Sequence, residues 1–381
     1  VIGILCRLVL VFKVGGRMSF VDEQDYDRIA QSLMQGHGFA NGEVTTAFRP
    51  PGMPFFLCGI YELVGHHALA PEVLQALLLG FVPFAVARIA RRVGLRGYWP
   101  NLAGAAASLH PGIAYSSATL YPTALTALTL VVGTMWSVDS ILTGSPRQGA
   151  LGGLFLGIAG AFTTTFVPVA GLAAVVAALR RQWIPAIAIA AVGFAPALAW
   201  MVRNDLAVGA PVIATNGAYN IFLGANDEAT PQSGSWIDTA GLPPSYNSKT
   251  EVERDRAFRD LAYTWIEAHP VRYALLVVGR AVATFDSVGR PKTRGAYDSA
   301  VSRAIGFAML PWVVLGAIGL IIDWRSTPAR IAGASLALVI LSSALTMAKP
   351  RFRFPCDPLL AVFACVAWTR AQSRWSRPPV V

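Results

Sequence analysis

The sequence predicts an all-α polytopic membrane protein, and three observations carry that prediction. Of its 381 residues, 54% are hydrophobic and only 14% are charged. Mean hydropathy is +0.51. The apolar residues also come in runs close to the ~20 that a helix needs to cross a hydrocarbon core. A single helical membrane unit, 1–381, accommodates these runs with modest loops outside the bilayer.

Taken in order, the runs are 69–90, 98–116, 121–142, 183–202, 304–322, 328–348 and 355–371. The stretch 1–14 is apolar but short and lacks a small-residue cleavage site, so it reads as a first helix. The run 149–179 suits one long helix or two short ones meeting near Thr163-Thr164-Thr165-Phe166-Val167-Pro168. Arg147 and Arg180-Arg181 both read as cytoplasmic, which demands an even number of crossings and therefore two short helices. The segment 271–289 is interrupted by Arg272, Arg280 and Asp286 and followed by Arg290, Lys292 and Arg294. It reads as an outer-face amphipathic helix. The count is then about ten transmembrane helices plus outer-face juxtamembrane helices, with both termini inside. The outer face holds a first loop over 15–68, a turn near 117–121, a second loop region over 203–303, and Lys349-Pro350-Arg351-Phe352-Arg353.

A net charge of +10 raises nucleic-acid binding, but the distribution of that charge argues against it. Basic residues cluster at the ends of apolar runs, as in Arg88, Arg91, Arg92 and Arg96, or Arg325 and Arg330. That is the bias of cytoplasmic loops and lipid-headgroup contact. Cys6, Cys58, Cys356 and Cys365 form no CxxC pair and no metal-ligand spacing. Cys58 and Cys356 both fall toward the outer face, where a disulfide between them is compatible with the topology. The histidines (His37, His66, His67, His110, His269) offer no zinc-site spacing. Phosphate-loop, dinucleotide-binding and nucleophile-elbow motifs are absent from the sequence, which argues against ATP bound to this chain.

Acids are where the chain departs from its own composition. Asp22, Glu23, Asp25 and Asp27 fall within six residues. A carboxylate near hydrocarbon is costly and tends to be kept for function. The stretch 22–35 has helical spacing, with Tyr26, Ile29, Ala30 and Leu33 on one side. One acid suffices to cap a helix start, and here there are several. Arg49-Pro50-Pro51-Gly52 then fixes the backbone and holds Arg49 at a set place. Arg351 and Arg353 flank Phe352 on the outer side, against the usual charge bias, and guanidinium groups bind phosphate bidentately. Arg203-Asn204 at the end of an earlier span invites the same argument more weakly. The segment 203–270 is rich in Asn, Gly, Thr and Ser, including Asn216 and Asn220, which suits a carbohydrate and equally suits turns. Trp236 and Tyr246 are candidates for a lid over it.

Asp22-Glu23-x-x-Tyr26 after the first span, then Arg49-Pro50-Pro51-Gly52, resembles the polyprenol-dependent GT-C glycosyltransferases. The nearer likeness is to the family 39-type group of protein O-mannosyltransferases and lipid A aminoarabinose transferases. Arg203-Asn204 leading to Thr215-Asn216-Gly217, and Arg351-Phe352-Arg353-Phe354-Pro355 before the last span, are similar to features of bacterial members. The resemblance implies a GT-C fold in a bacterial inner (plasma) membrane, with the active site facing the periplasm or outside. It implies a polyprenyl-phosphate-linked sugar donor and a glycolipid, polysaccharide or protein acceptor. Asp22 is then the general base, with inversion at the anomeric carbon, and Glu23 its helper. Arg49, Arg351, Arg353 and Arg203 would stabilise the lipid phosphate. Tyr26, His37, Asn204, Asn216 and Asn220 would contact substrate, while Asp25 and Asp27 would be solvated. The chain departs from the pattern at Phe48 and Thr123, where relatives carry acids, which leaves a divalent metal ion open. The rival reading is a transporter or flippase of lipid-linked saccharides. Such proteins place ionisable residues at the midplane of broken, repeated helices, and these spans are almost free of charge.

Overall fold

The structure, a computed structural model, describes residues 1–231, 249–285 and 299–375. Its elements run α1 (Ile2–Val14), α2 (Val21–Met34), β1 (Ala40–Asn41), β2 (Val44–Thr45), α3 (Gly52–Val64), α4 (Leu69–Leu78) and α5 (Val82–Arg92). They continue with α6 (Trp99–Ser108), α7 (Pro111–Ser116), α8 (Thr123–Thr143), α9 (Pro146–Phe162), α10 (Val167–Leu179) and α11 (Trp183–Val208). The remainder are α12 (Gly217–Gly224), α13 (Glu251–Ala268), α14 (Pro270–Ala283), α15 (Ser299–Ile322), α16 (Thr327–Leu345), α17 (Pro350–Arg353) and α18 (Asp357–Trp375). Trp236, Tyr246 and the charged residues Asp286 to Arg294 lie outside the described residues.

The chain is an all-α polytopic membrane protein, as its composition predicts. Among the described residues four helices are long and apolar enough to cross a bilayer: Leu69–Arg92, Thr123–Thr143, Trp183–Val208 and Thr327–Leu345. Shorter apolar helices cover Gly52–Val64, Thr164–Leu179 and Gly306–Ile322. Two helices form the centre. Helix α8 is buried along most of its length, and every residue of α18 from Asp357 to Ala367 is buried. Helix α11 is peripheral, with Ile184, Ile187, Leu198, Val202 and Leu206 all exposed, as a lipid-facing surface requires.

Glycines on α9 allow its close approach to both neighbours. A Cβ at Gly153 would come within 2.5 Å of the Ile189 carbonyl on α11, and one at Gly152 within 2.8 Å of the Ser137 amide on α8. In a bilayer, where lipid tails are as apolar as leucine, such backbone contact drives helix association.

Two sequence expectations meet the backbone directly. The run 149–179 is two helices, α9 and α10, broken at Thr163 and joined by a single 3-10 turn, Thr164–Phe166. The run 98–116 is not one helix but α6 and α7, separated at Leu109 and His110. Pro111 cannot continue the hydrogen-bond ladder, and His110 instead caps α7 by accepting the Ile113 N–H at 3.0 Å. All four cysteines are free thiols, so Cys58 and Cys356 form no disulfide.

The bundle has two chemically distinct ends. At one, Asp139 on α8 is fully buried and accepts hydrogen bonds from Arg88 Nε at 2.6 Å and Arg92 Nε at 2.7 Å. Arg180, just after α10, donates to the carbonyl of Arg325, in the turn before α16, at 2.6 Å. At the other end, α8 begins and α9 and α11 finish, and here the acidic segment sits. Helices α2 and α3 pack on each other through Tyr26, Ala30, Met53, Leu57 and Tyr61. They seat on the bundle through Leu120, Leu125 and Phe162.

Candidate active site

Helix α2 begins where its acids allow it to. Glu23 reaches back to accept the Phe20 N–H at 2.9 Å, satisfying one of the amides that a helix start leaves unpaired. Its other oxygen accepts the Leu120 N–H at 2.9 Å, from the turn before α8. Both oxygens of Glu23 are thus committed to backbone, and the residue is 1% exposed. Burial raises its carboxyl above the ordinary value, and these backbone donors only partly offset that. Glu23 ties α2 to the Tyr121 turn.

That tie places Asp22 opposite Tyr121. The Tyr121 hydroxyl donates to Asp22 Oδ2 at 3.0 Å. Arg49 Nη2 donates to Asp22 Oδ1 at 2.6 Å and to Asp25 Oδ2 at 2.6 Å. Arg351 Nη2 stands 3.6 Å from Asp22 Oδ2. Its guanidinium lies over the Tyr121 ring, 4.2 Å from the centroid. The structure therefore brings Asp22, Arg49, Arg351 and Tyr26 together from three distant segments. Tyr26 presents its ring to Arg49 at 5.5 Å.

The electrostatics follow from these distances. Burial alone would push the Asp22 carboxyl up, but Arg49 and Arg351, with the Tyr121 hydroxyl, hold it below its ordinary value. Burial pushes the Tyr26 phenol up to about 12 and raises Tyr121 as well, so both stay protonated at neutral pH. Arg49 is raised despite its burial, because Asp22, Tyr26 and Asp25 favour its charge. Lys349 is lowered by burial and by the neighbouring charge of Arg351. Arg28, Arg49 and Arg351 thus pair with Asp22 and Asp25 at a half-open surface.

Asp25 and Asp27 are buried rather than solvated, which corrects the expectation for both. Asp25 is an orienting partner for Arg49 and also accepts from Arg28 at 2.6 Å. Asp27 accepts from the Tyr61 hydroxyl at 2.7 Å and Gln31 at 2.6 Å, and pairs with His66 at 2.8 Å. Both point inward because α2 lies against α3 and the hairpin rather than on an open interface.

The loop that delivers Arg49 is held from outside. The hairpin β1–β2 turns at Gly42, whose φ of 68° is the left-handed conformation that glycine tolerates. Glu251, at the start of α13, accepts the Ala47 N–H at 2.8 Å and the Thr46 hydroxyl at 2.6 Å. It also accepts the Thr215 hydroxyl. Nothing in the sequence points to Glu251, which lies 204 residues beyond Ala47.

Arg203 and Asn204 belong to this scaffold. Arg203 donates to the carbonyls of Thr46 at 2.8 Å and Phe39 at 3.0 Å, and stacks over Trp200 at 4.9 Å. Asn204 is fully buried and donates to the Val212 carbonyl at 2.7 Å. Arg353 is fully buried too, against Asp357, and does not join Arg351 at Asp22. Asn216 precedes α12 and Asn220 lies within it, both half-buried, with Tyr219 of the same helix beside Phe48 at 6.5 Å. His37 is exposed after α2. Tyr121 went unread in the sequence, although a tyrosine before a proline at a span boundary is a visible signal.

A divalent cation does not fit this donor set. Among the described residues no three His, Cys, Asp or Glu side chains cluster as ligands. Both oxygens of Asp22 and those of Glu23 already face cationic or N–H and O–H donors.

No family model and no curated protein matches the chain. Among solved structures it is similar to ArnT from Cupriavidus metallidurans bound to undecaprenyl phosphate, at 12% identity and a TM-score of 0.44, covering 100% of this chain and 81% of that one. It is also similar to the archaeal oligosaccharyltransferase AglB from Archaeoglobus fulgidus in complex with an inhibitory peptide and a dolichol-phosphate. There the identity is 12% and the TM-score 0.46, with 100% of this chain and 52% of that one covered. The chain spans about half the length of that oligosaccharyltransferase. These likenesses assign no role to any residue of this chain.

Proposed function

We propose that this protein is a membrane glycosyltransferase of the GT-C type that transfers a sugar from a polyprenyl-phosphate donor to an acceptor hydroxyl. The observation that carries the reading is Asp22 held between Arg49 and Arg351 at one end of an apolar bundle. An acid beside arginines at a bilayer boundary suits a reaction that moves a proton off a hydroxyl while a lipid phosphate departs. Basic residues gathered at the opposite end support a cytoplasmic assignment there, and so an active site facing the periplasm or outside of a plasma membrane.

The residues act in a definite order. The donor phosphate takes the guanidinium groups of Arg49 and Arg351, competing with Asp22 for both. As they shift to phosphate, Asp22 loses its stabilising partners and becomes a stronger base. The acceptor oxygen then attacks the anomeric carbon from the face opposite the phosphate, with inversion. Its proton passes to Asp22, the carbon–oxygen bond to phosphate breaks, and the polyprenyl phosphate leaves with that electron pair. Fixed guanidinium groups aimed at the departing oxygen are worth most in a site that excludes water. Asp25 keeps Arg49 oriented throughout, and Asn216 and Asn220 are candidates for sugar contact.

A radiolabelled polyprenyl-phosphate sugar, supplied to the purified chain in lipid vesicles, tests the reading. Glycosidic product that disappears in Asp22→Asn supports it. Movement of the lipid-linked sugar across the vesicle without product supports a flippase and overturns it.

A further inference from the structure

Arg353 differs sharply from Arg351, two residues earlier. Its Nε and Nη2 donate to the two oxygens of Asp357 at 2.8 and 3.2 Å, and Nη1 donates to the Thr284 carbonyl at 2.7 Å. The same carboxylate pairs with His110 Nε2 at 2.9 Å. Because His110 Nδ1 accepts the Ile113 N–H, the ring proton sits on Nε2 and is donated to Asp357. Phe354 lies edge-on to the His110 ring at 5.3 Å and against Gly112, where a Cβ would come within 2.4 Å of the Phe354 ring. His110, Arg353 and Asp357 are each at most 4% exposed.

The hydrogen bonds of this arrangement join His110, Arg353 and Asp357 to one another and to the backbone of Ile113 and Thr284, and none of them includes Asp22, Arg49 or Tyr121. They join the start of α7, the residue after α14, the last residue of α17 and the start of α18 around one carboxylate. Helix α17 is a single turn of four residues, too short to hold its own shape. Yet that turn carries Arg351 onto Tyr121 and Asp22. A buried charged set of this kind is seldom the most stable filling of a core, and its best-attested use is to fix register.

We propose that His110, Asp357 and Arg353 form a positioning set that fixes the rotation of α17 and so aims Arg351 at the lipid phosphate, an inference that rests on the phosphate-binding role of Arg351 proposed above. The three residues touch no substrate. They act through the backbone of α17.

The test uses the full chain in nanodiscs and measures binding of a polyprenyl monophosphate. Arg351→Gln and Asp357→Asn are each expected to weaken binding about tenfold, the loss of one charge-assisted contact. If Asp357 acts only through Arg351, the double variant binds no more weakly than Arg351→Gln alone. His110→Gln, which keeps a donor toward Asp357, retains tighter binding than His110→Leu. A density map of Asp357→Asn is expected to show Arg351 displaced from the Tyr121 ring. Losses that multiply in the double variant, or Arg351 unmoved in that map, overturn the proposal. If Arg351→Gln binds as tightly as the unaltered chain, the phosphate reading fails instead, and the map alone decides whether α17 is positioned. Should Asp357→Asn not fold, as judged by thermal unfolding, His110→Leu carries both measurements.

Discussion

Arg351 lies over the ring of Tyr121 at 4.2 Å, so a residue of α17, just before the last helix, and one just before α8 share a single face of the site. The Tyr121 hydroxyl and the Arg351 guanidinium both address the same oxygen of Asp22. Chemistry proposed for Asp22 therefore depends on two loops that meet only in the folded bundle.

Asp22 and Glu23 are adjacent but make opposite demands. Asp22→Asn is expected to lower transfer by about 10²–10⁴-fold, the range for a general base, with little loss of stability. Glu23→Gln places an amide N–H against one of two backbone donors and is expected to destabilise the fold by about 1–3 kcal/mol. Transfer assays paired with thermal unfolding separate the two. Equal loss of activity without destabilisation in Glu23→Gln would return Glu23 to the catalytic machinery.

Arg49 and Arg351 also differ in what they hold. Arg49 is 12% exposed and Arg351 36%. Arg49→Gln strips Asp25, itself 11% exposed, of one of its two arginine partners, leaving Arg28, and is expected to cost about 1.5–3 kcal/mol as well as activity. Arg351→Gln should leave stability within ~1 kcal/mol while lowering the rate by about 10²–10³-fold. Denaturation curves and initial rates on the same preparations check both.

The pH dependence has a definite sign. The folded Asp22 carboxyl sits below the ordinary 3.8, so its contribution to stability is present in full above that value. That contribution is lost as pH falls through the lower folded value. In kcat/KM, which reports the free enzyme, the acid limb of Asp22 lies below the ordinary carboxylate range. In kcat, which reports the donor complex, the limb should lie higher, because phosphate has drawn Arg49 and Arg351 away. Steady-state rates across pH measure both limbs, and coincident limbs would sink the exchange of partners.

Gly52 sets how closely α3 meets α9. A Cβ there would lie 2.7 Å from the Phe162 nitrogen and 2.8 Å from the Ala161 carbonyl oxygen, both backbone atoms. Gly52→Ala is expected to destabilise by about 1–3 kcal/mol and to shift the rigid Arg49-Pro50-Pro51 segment. A fall in unfolding temperature together with a lower kcat is the expected result. An unchanged transfer rate would show that Arg49 tolerates the shift.

Local patterns settled a good part of this protein. Apolar runs gave the membrane class, Thr163 to Pro168 gave the break between α9 and α10, and the spacing of Tyr26, Ile29, Ala30 and Leu33 gave α2. Each is written in residues that are neighbours in the chain, where periodicity and backbone chemistry act directly. The break at His110 was legible as well, in Pro111, but an apolar run hid it.

What only the tertiary structure decided is the partner of each charge. Asp25 turned to Arg49 and Asp27 to His66 and Tyr61, although both read as solvated. Arg351 turned to Asp22, and Arg353 to Asp357, although the sequence offered them as equals. Two residues on one helical turn point to different sides, and which side meets an acid depends on the rotation of that turn against the rest of the bundle. Coulomb attraction acts over a few ångströms, so the choice waits until the chain has packed.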